Sequence, residues 1–91
     1  MNNISEMDRT YLTLKYRIEQ FPDHEWVYFN CADRESLRGW LHRRGMLIQS
    51  FIGAGPEIDL GVYIDGNKRR LEHLYHHLLA YELEQQRTDR S

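Results

Sequence analysis

The spacing of hydrophobic residues changes along the chain and predicts three helices and three strands. Between Ser5 and Pro22 these residues recur every three or four positions, which is typical of one face of a helix. Short segments at 25–30, 46–53 and 57–65 are rich in aromatic and β-branched residues and are predicted as strands. Helical spacing returns at 33–44 and again from Lys68 to about Gln86. The predicted order is therefore α-β-α-β-β-α.

The third predicted strand has the clearest buried face and is expected at the centre of the sheet. The turn at 54–56 makes the second and third strands an antiparallel hairpin. The expected spatial order of the strands is 1-3-2, with 1-2-3 as the alternative. The fold class is α+β, a three-stranded mixed or antiparallel sheet packed by three helices. The residues that alternate along the third strand on its buried face are Ile58, Leu60, Val62 and Ile64.

The first helix has a predicted start and a predicted buried face. Ser5 and Asp8 form a capping-box pattern, and Pro22 ends the helical segment. One stripe of this helix carries Met7, Tyr11, Leu14, Ile18 and Phe21. With the strands and the other two helices it gives the predicted core: Tyr11, Leu14, Ile18, Val27, Phe29, Leu37, Leu41, Ile58, Leu60, Val62, Leu74 and Leu78.

Length and composition predict one small domain in a reducing compartment. The 91 residues form a single domain, 1–91, whose residues 87–91 are a polar tail expected to fray. Cys31 is the one cysteine, so no internal disulfide can form. The first residues lack a signal-peptide pattern, and no apolar run approaches the roughly 18–20 residues of a membrane span. A cytoplasmic protein is therefore expected.

The sheet face opposite the predicted core carries large side chains. Five residues share that face: Trp26, Tyr28, Leu47, Phe51 and Tyr63. Together they exceed the apolar patch that a monomer usually exposes. Either the first helix covers this face, or a partner does. A second copy of the chain, in a twofold homodimer, is one such partner.

Basic residues are predicted to gather at one end of the sheet. In the 1-3-2 order, the third strand ends beside the start of the second. The basic rim consists of the residues that flank these two points: Arg43, Arg44, Lys68, Arg69 and Arg70. The last three begin a helix, where the macrodipole disfavours positive charge. They are either solvated and paired with Asp65, Glu72 or the other strand ends, or a docking rim for an acidic protein surface or for phosphates.

Candidate catalytic and metal-binding patterns are weak, and no cofactor is predicted. His73 and His77 are one helical turn apart, but a metal site needs further ligands that the spacing does not supply. Asp59 and Asp65 lie about 20 Å apart along one strand, too far to share a metal ion. The overall net charge of −2 argues against a general polyanion binder.

The pattern as a whole favours a non-enzymatic protein-binding module. Such a module would act as an inhibitor, adaptor or regulator of a larger protein or complex, as antitoxins, immunity proteins and phage-encoded inhibitors of this size do. Tyr, Trp and Arg are the side chains that most often dominate protein interfaces. The alternatives are a nucleic-acid-binding regulator that uses the basic rim and, less favoured, a metal-dependent enzyme.

Overall fold

The computed structural model of the chain describes residues 4–20, 25–31, 33–50 and 60–89. These residues form three helices and four strands, and the predicted α-β-α-β-β-α order is confirmed with one short strand added. The last helix extends to Asp89, beyond its predicted end near Gln86. The elements are α1 (Glu6–Tyr16), β1 (Glu19–Gln20), β2 (Trp26–Phe29), α2 (Arg34–Arg43), β3 (Leu47–Ser50), β4 (Leu60–Tyr63) and α3 (Lys68–Asp89).

The sheet is antiparallel and has the order β1-β2-β4-β3. The predicted strands β2, β3 and β4 thus lie in the order 1-3-2, which confirms the central place of the third. Its register with both neighbours is defined by Tyr63, which pairs with Trp26 of β2 and with Leu47 of β3. The end of β4 therefore lies beside the start of β3, as the position of the basic rim requires.

Helix α1 begins as predicted but ends well before Pro22. Ser5 Oγ accepts a hydrogen bond from the Asp8 N–H at 3.1 Å, which caps the first turn. Arg17 then adopts a left-handed conformation with φ 51°, and its N–H donates to the Thr13 carbonyl. The turn at Arg17 redirects the chain into β1, which pairs with β2. A two-residue edge strand has too short a pattern to be recognised in a sequence.

One hydrophobic core joins the three helices to one face of the sheet. Buried side chains of α1, α2 and α3 pack in the same cluster as the inward residues of β2 and β4. The helices therefore form one layer and the sheet the other. Eight predicted core residues are confirmed as fully buried: Val27, Phe29, Leu37, Leu41, Leu60, Val62, Leu74 and Leu78.

The predicted buried stripe is wrong for its three residues within α1, whereas Ile18, beyond the end of α1, is partly buried against the core. Met7 is 80% exposed, Tyr11 49% and Leu14 73%, while Leu12 and Tyr16 are buried instead. The reason is that the seam between α1 and α3 is largely polar. A salt bridge joins Arg9 to Glu72, and the hydroxyls of Thr13 and Tyr75 are 2.9 Å apart. Because polar residues face α3, a prediction that places the most apolar side of α1 in the core chooses the face that is exposed.

Several sequence-based expectations fall outside the described residues. They concern Phe21 and Ile58 in the core, Phe51 on the outer sheet face, Asp59 on the third strand and the turn at 54–56. Within the described ranges, no helix combines the length and apolar character needed to cross a membrane.

The two leucines of α1 test which face of this helix is buried. Leu12→Ala is expected to lower the free energy of unfolding by about 2–5 kcal/mol, because it opens a cavity in the core. Leu14→Ala, the matched control two positions further on, is expected to change it by less than about 0.5 kcal/mol. Urea unfolding followed by circular dichroism measures both. The reverse ranking would show that the predicted stripe, Met7, Tyr11 and Leu14, is buried after all.

Candidate functional site

Three large side chains form a row across the outer face of the sheet. Trp26, Tyr63 and Leu47 are in register on β2, β4 and β3, and they are called the outer row below. The rings of Trp26 and Tyr63 meet edge to face, with centroids 5.2 Å apart. Leu47 is 60% exposed. Residue pairing across the sheet thus places an aromatic pair and an accessible leucine side by side.

Helix α1 does not cover the outer row. Its buried residues, Leu12 and Tyr16, belong to the core on the opposite face of the sheet. The expectation that the first helix covers the outer face is therefore wrong for the part of the chain that the structure describes. Tyr28 lies on the same outer face, two positions after Trp26 on β2. It is half-buried and pairs with Gly61, which carries no side chain.

Two residues of the predicted basic rim line a single cavity of about 170 Å³. Arg44 reaches it from the end of α2, and Arg70 from the first turn of α3. The cavity is called the rim pocket, and its lining residues are Arg44, Gly45, Met46, Leu47, Tyr63, Arg70, His73 and His77. Leu47 and Tyr63 belong both to this pocket and to the outer row. The aromatic face and the basic pocket therefore form one continuous surface.

The other three residues of the predicted rim do not line the pocket. Arg43, Lys68 and Arg69 are exposed, but they are absent from the set of described residues that surround the cavity. The structure thus brings Arg44 and Arg70 to one cavity and leaves the other three rim residues outside it.

Arg44 is held in place by Trp40. Its guanidinium lies over the Trp40 ring, 3.3 Å from the ring centroid, and also donates to the Trp40 carbonyl at 3.0 Å. The Trp40 indole N–H in turn donates to the His77 carbonyl at 3.0 Å. These contacts connect α2 to α3 beside the rim pocket. Arg44 is thus positioned before any ligand arrives, which lowers the entropy lost on binding.

Two of the acids expected to pair with the rim, Asp65 and Glu72, form no salt bridge with it among the described residues. Glu72 pairs with Arg9, and Asp65 accepts a hydrogen bond from Tyr63, which raises the pKa of that phenol. All five rim residues are exposed, as the solvated alternative expects, but Asp65 and Glu72 have these other partners.

Two histidines complete the wall of the rim pocket. Burial lowers the pKa of His77, and the charge of Arg44 and the neighbouring His73 and His76 lower it further. His77 is therefore neutral at pH 7, and the fixed charge of the pocket comes from Arg44 and Arg70. The rings of His73 and His77 are 6.4 Å apart. Within the described ranges no three His, Cys, Asp or Glu side chains converge as metal ligands would.

A second cavity, of about 400 Å³, lies between α1 and α3 and was not predicted. The buried Glu82 carboxylate lines it and accepts hydrogen bonds from Tyr16, from Lys15 at 2.6 Å and from Tyr11 at 3.3 Å. The sequence does contain a signal for this cluster that was missed: Glu82 follows Tyr75 and Leu78 at helical spacing and so shares their buried face of α3. Its donors hold α1 against α3, so the cluster has a structural role in the fold.

No protein-family model, curated protein or solved structure matches this chain. Function is therefore inferred from the described residues themselves. The sequence did contain one signal for the pocket that was missed. Arg70, His73 and His77 follow at steps of three and four, so they share one face of α3. What these residues offer chemically is a site for an anion beside an apolar and aromatic surface.

The pH dependence of unfolding tests the role of Glu82. Burial raises its pKa, but hydrogen bonds from Lys15 and Tyr16 outweigh burial, and the net pKa is lowered from 4.5. A lowered carboxyl pKa stabilises the fold above pH 4.5, and this contribution is lost as the pH falls through the folded-state value.

Glu82→Gln is expected to lower the free energy of unfolding at pH 7 by about 1–3 kcal/mol. The difference in stability between pH 7 and about pH 3 should also be smaller in this variant than in the wild type, because its amide does not titrate. Urea unfolding at both pH values measures this. An unchanged pH dependence would show that Glu82 is not ion-paired in the folded protein.

Proposed function

We propose that this chain is a small non-enzymatic protein-binding module that docks on an acidic surface of a larger protein. The binding site is the outer row together with the rim pocket, called the recognition surface below. The observation that carries the proposal is that Leu47 and Tyr63 line both parts. An apolar centre next to arginines is the arrangement that protein interfaces favour.

The recognition surface has the composition of an interaction hot spot. Trp, Tyr and Arg side chains contribute most of the binding energy in protein interfaces, especially where neighbouring groups exclude water. Here Trp26 and Tyr63 support each other, and Arg44 is fixed against Trp40. Because neither Arg44 nor Arg70 forms a salt bridge with Asp65 or Glu72, an acidic partner breaks no such ion pair when it binds them.

The proposed role is that of an inhibitor, adaptor or regulator, acting by occupying its partner's surface. A reducing compartment such as the cytoplasm suits this role, because Cys31 is the one cysteine and is buried. The partner is defined here by its chemistry alone, an acidic surface with an apolar patch at its centre.

A nucleic-acid-binding regulator is the second candidate function. Aromatic side chains on an open sheet, with arginines beside them, can stack bases and hold phosphates. Trp26, Tyr28 and Tyr63 offer such a platform next to Arg44 and Arg70. The edge-to-face contact of Trp26 with Tyr63 disfavours it, because the two rings do not present parallel faces.

Affinity capture from the native host, followed by mass spectrometry, tests the proposed surface. Leu47→Glu places a negative charge at its centre and is expected to remove the captured protein. Leu14→Glu is the matched control, because Leu14 is an exposed leucine of α1 and lies outside the recognition surface. It should capture the same protein as the wild type. Both variants should keep their urea midpoints, since exposed substitutions usually cost less than about 0.5 kcal/mol.

Three other outcomes would contradict this account. Loss of the partner with Leu14→Glu but not with Leu47→Glu would place the interface on α1. Capture that disappears after nuclease treatment, with affinity falling steeply with salt, would favour the nucleic-acid function. A wild-type dimer in light scattering that Leu47→Glu converts to monomer would show that the partner is a second copy of this chain.

A further inference from the structure

The rim pocket has the size and charge of a site for a single anionic group. At about 170 Å³ it is well below the roughly 300–1,000 Å³ of pockets that enclose a drug-sized ligand. It has room for one tetrahedral oxyanion and not for a whole nucleotide. No acidic residue is among the described residues that line it.

The two arginines approach the pocket from different elements. Arg44 comes from the end of α2, and Arg70 from the first turn of α3. Planar guanidinium groups on two sides of a cavity match an anion that has oxygens in several directions. His73 and His77 add ring nitrogens that can donate hydrogen bonds to it, whereas the Tyr63 hydroxyl already donates to Asp65.

The start of α3 adds to the positive potential. The first-turn N–H groups of Arg69 and Arg70 are bonded to Asn67 Oδ1, at 2.8 and 3.4 Å, so the helix end is already capped. The macrodipole nevertheless places partial positive charge where Lys68, Arg69 and Arg70 already lie. An anion with two negative charges relieves this repulsion between positive charges more than a carboxylate with one does.

We propose that the rim pocket binds one phosphate monoester group, carried by a phosphorylated side chain of the protein partner. The proposal rests on the proposed function, because it names the group that the partner inserts beside Leu47 and Tyr63. Arginine clusters are a recurring means of recognising phosphorylated side chains. The dianionic group bonds Arg44 and Arg70, while the outer row contacts the surrounding protein surface.

An NMR titration of the full chain tests the pocket with small phosphates. Phenyl phosphate and inorganic phosphate, added at constant ionic strength, are expected to shift the amides of residues 44–47 and 70–77 saturably. Acetate should bind at least tenfold more weakly, because it carries one charge and two oxygens. Dimethyl phosphate, which mimics a nucleic-acid backbone, should also be at least tenfold weaker. Comparable binding of either probe would overturn the assignment to a phosphate monoester.

Adjacent arginines of α3 supply the matched variants. Arg70→Gln is expected to weaken phenyl phosphate binding at least tenfold, whereas Arg69→Gln, which removes the same charge outside the pocket, should change it less than twofold. Both side chains are exposed, so both variants should fold. Equal weakening by the two variants would mean that only diffuse charge attracts the anion, and would overturn the proposed pocket. His73→Gln is a second variant within the pocket and should weaken binding as well.

Phosphatase treatment of the host lysate separates this inference from the proposed function. If the pocket recognises a phosphorylated partner, the treatment should abolish its capture by the wild-type chain. A partner that is still captured, and is still lost with Leu47→Glu, would overturn the phosphate inference while leaving the protein-binding function in place. Saturable phosphate binding in the NMR titration, with no protein captured through Leu47, would contradict the proposed function instead.

Discussion

The pairing of β4 with both β2 and β3 is the constraint on which the rest of the structure depends. Leu60 and Val62 of β4 are fully buried, so a shift of one residue would turn them towards solvent. In the observed register, Tyr63 lies between Trp26 and Leu47. The same register brings the chain that leaves β4 beside the chain that enters β3. The core thus determines both the outer row and the meeting of Arg44 with Arg70.

Among the described residues, the helices pack on one face of the sheet, and none of them covers the outer row. Helix α1 adds Leu12 and Tyr16 to the common core and is otherwise joined to α3 by polar contacts, among them the Glu82 cluster. Because these contacts fix α1 on the helical layer, it cannot lie over the outer row. The proposed protein partner is the cover that we infer for a surface carrying Trp26 and Leu47.

The sequence predicted the element order, the central strand and the convergence of Arg44 with Arg70. The central strand follows from the alternation of apolar residues along β4, and the convergence follows from the antiparallel direction of β3 and β4. Both can be predicted from a single sequence. It did not predict the buried face of α1, because that face is chosen by polar partners on α3 that are distant along the chain. Nor did it assign His73 and His77 to the pocket, although their spacing from Arg70 contains that information.

The exposure of the outer row is the claim that a single measurement tests most directly. A soluble paramagnetic agent broadens NMR signals of methyl groups that solvent can reach. In the free protein, the Leu47 methyls should be broadened as strongly as those of Leu14, while the Leu41 and Val62 methyls stay sharp. Leu47 signals as sharp as those of Leu41 would show that the outer face is already covered, and would contradict its role as the recognition surface.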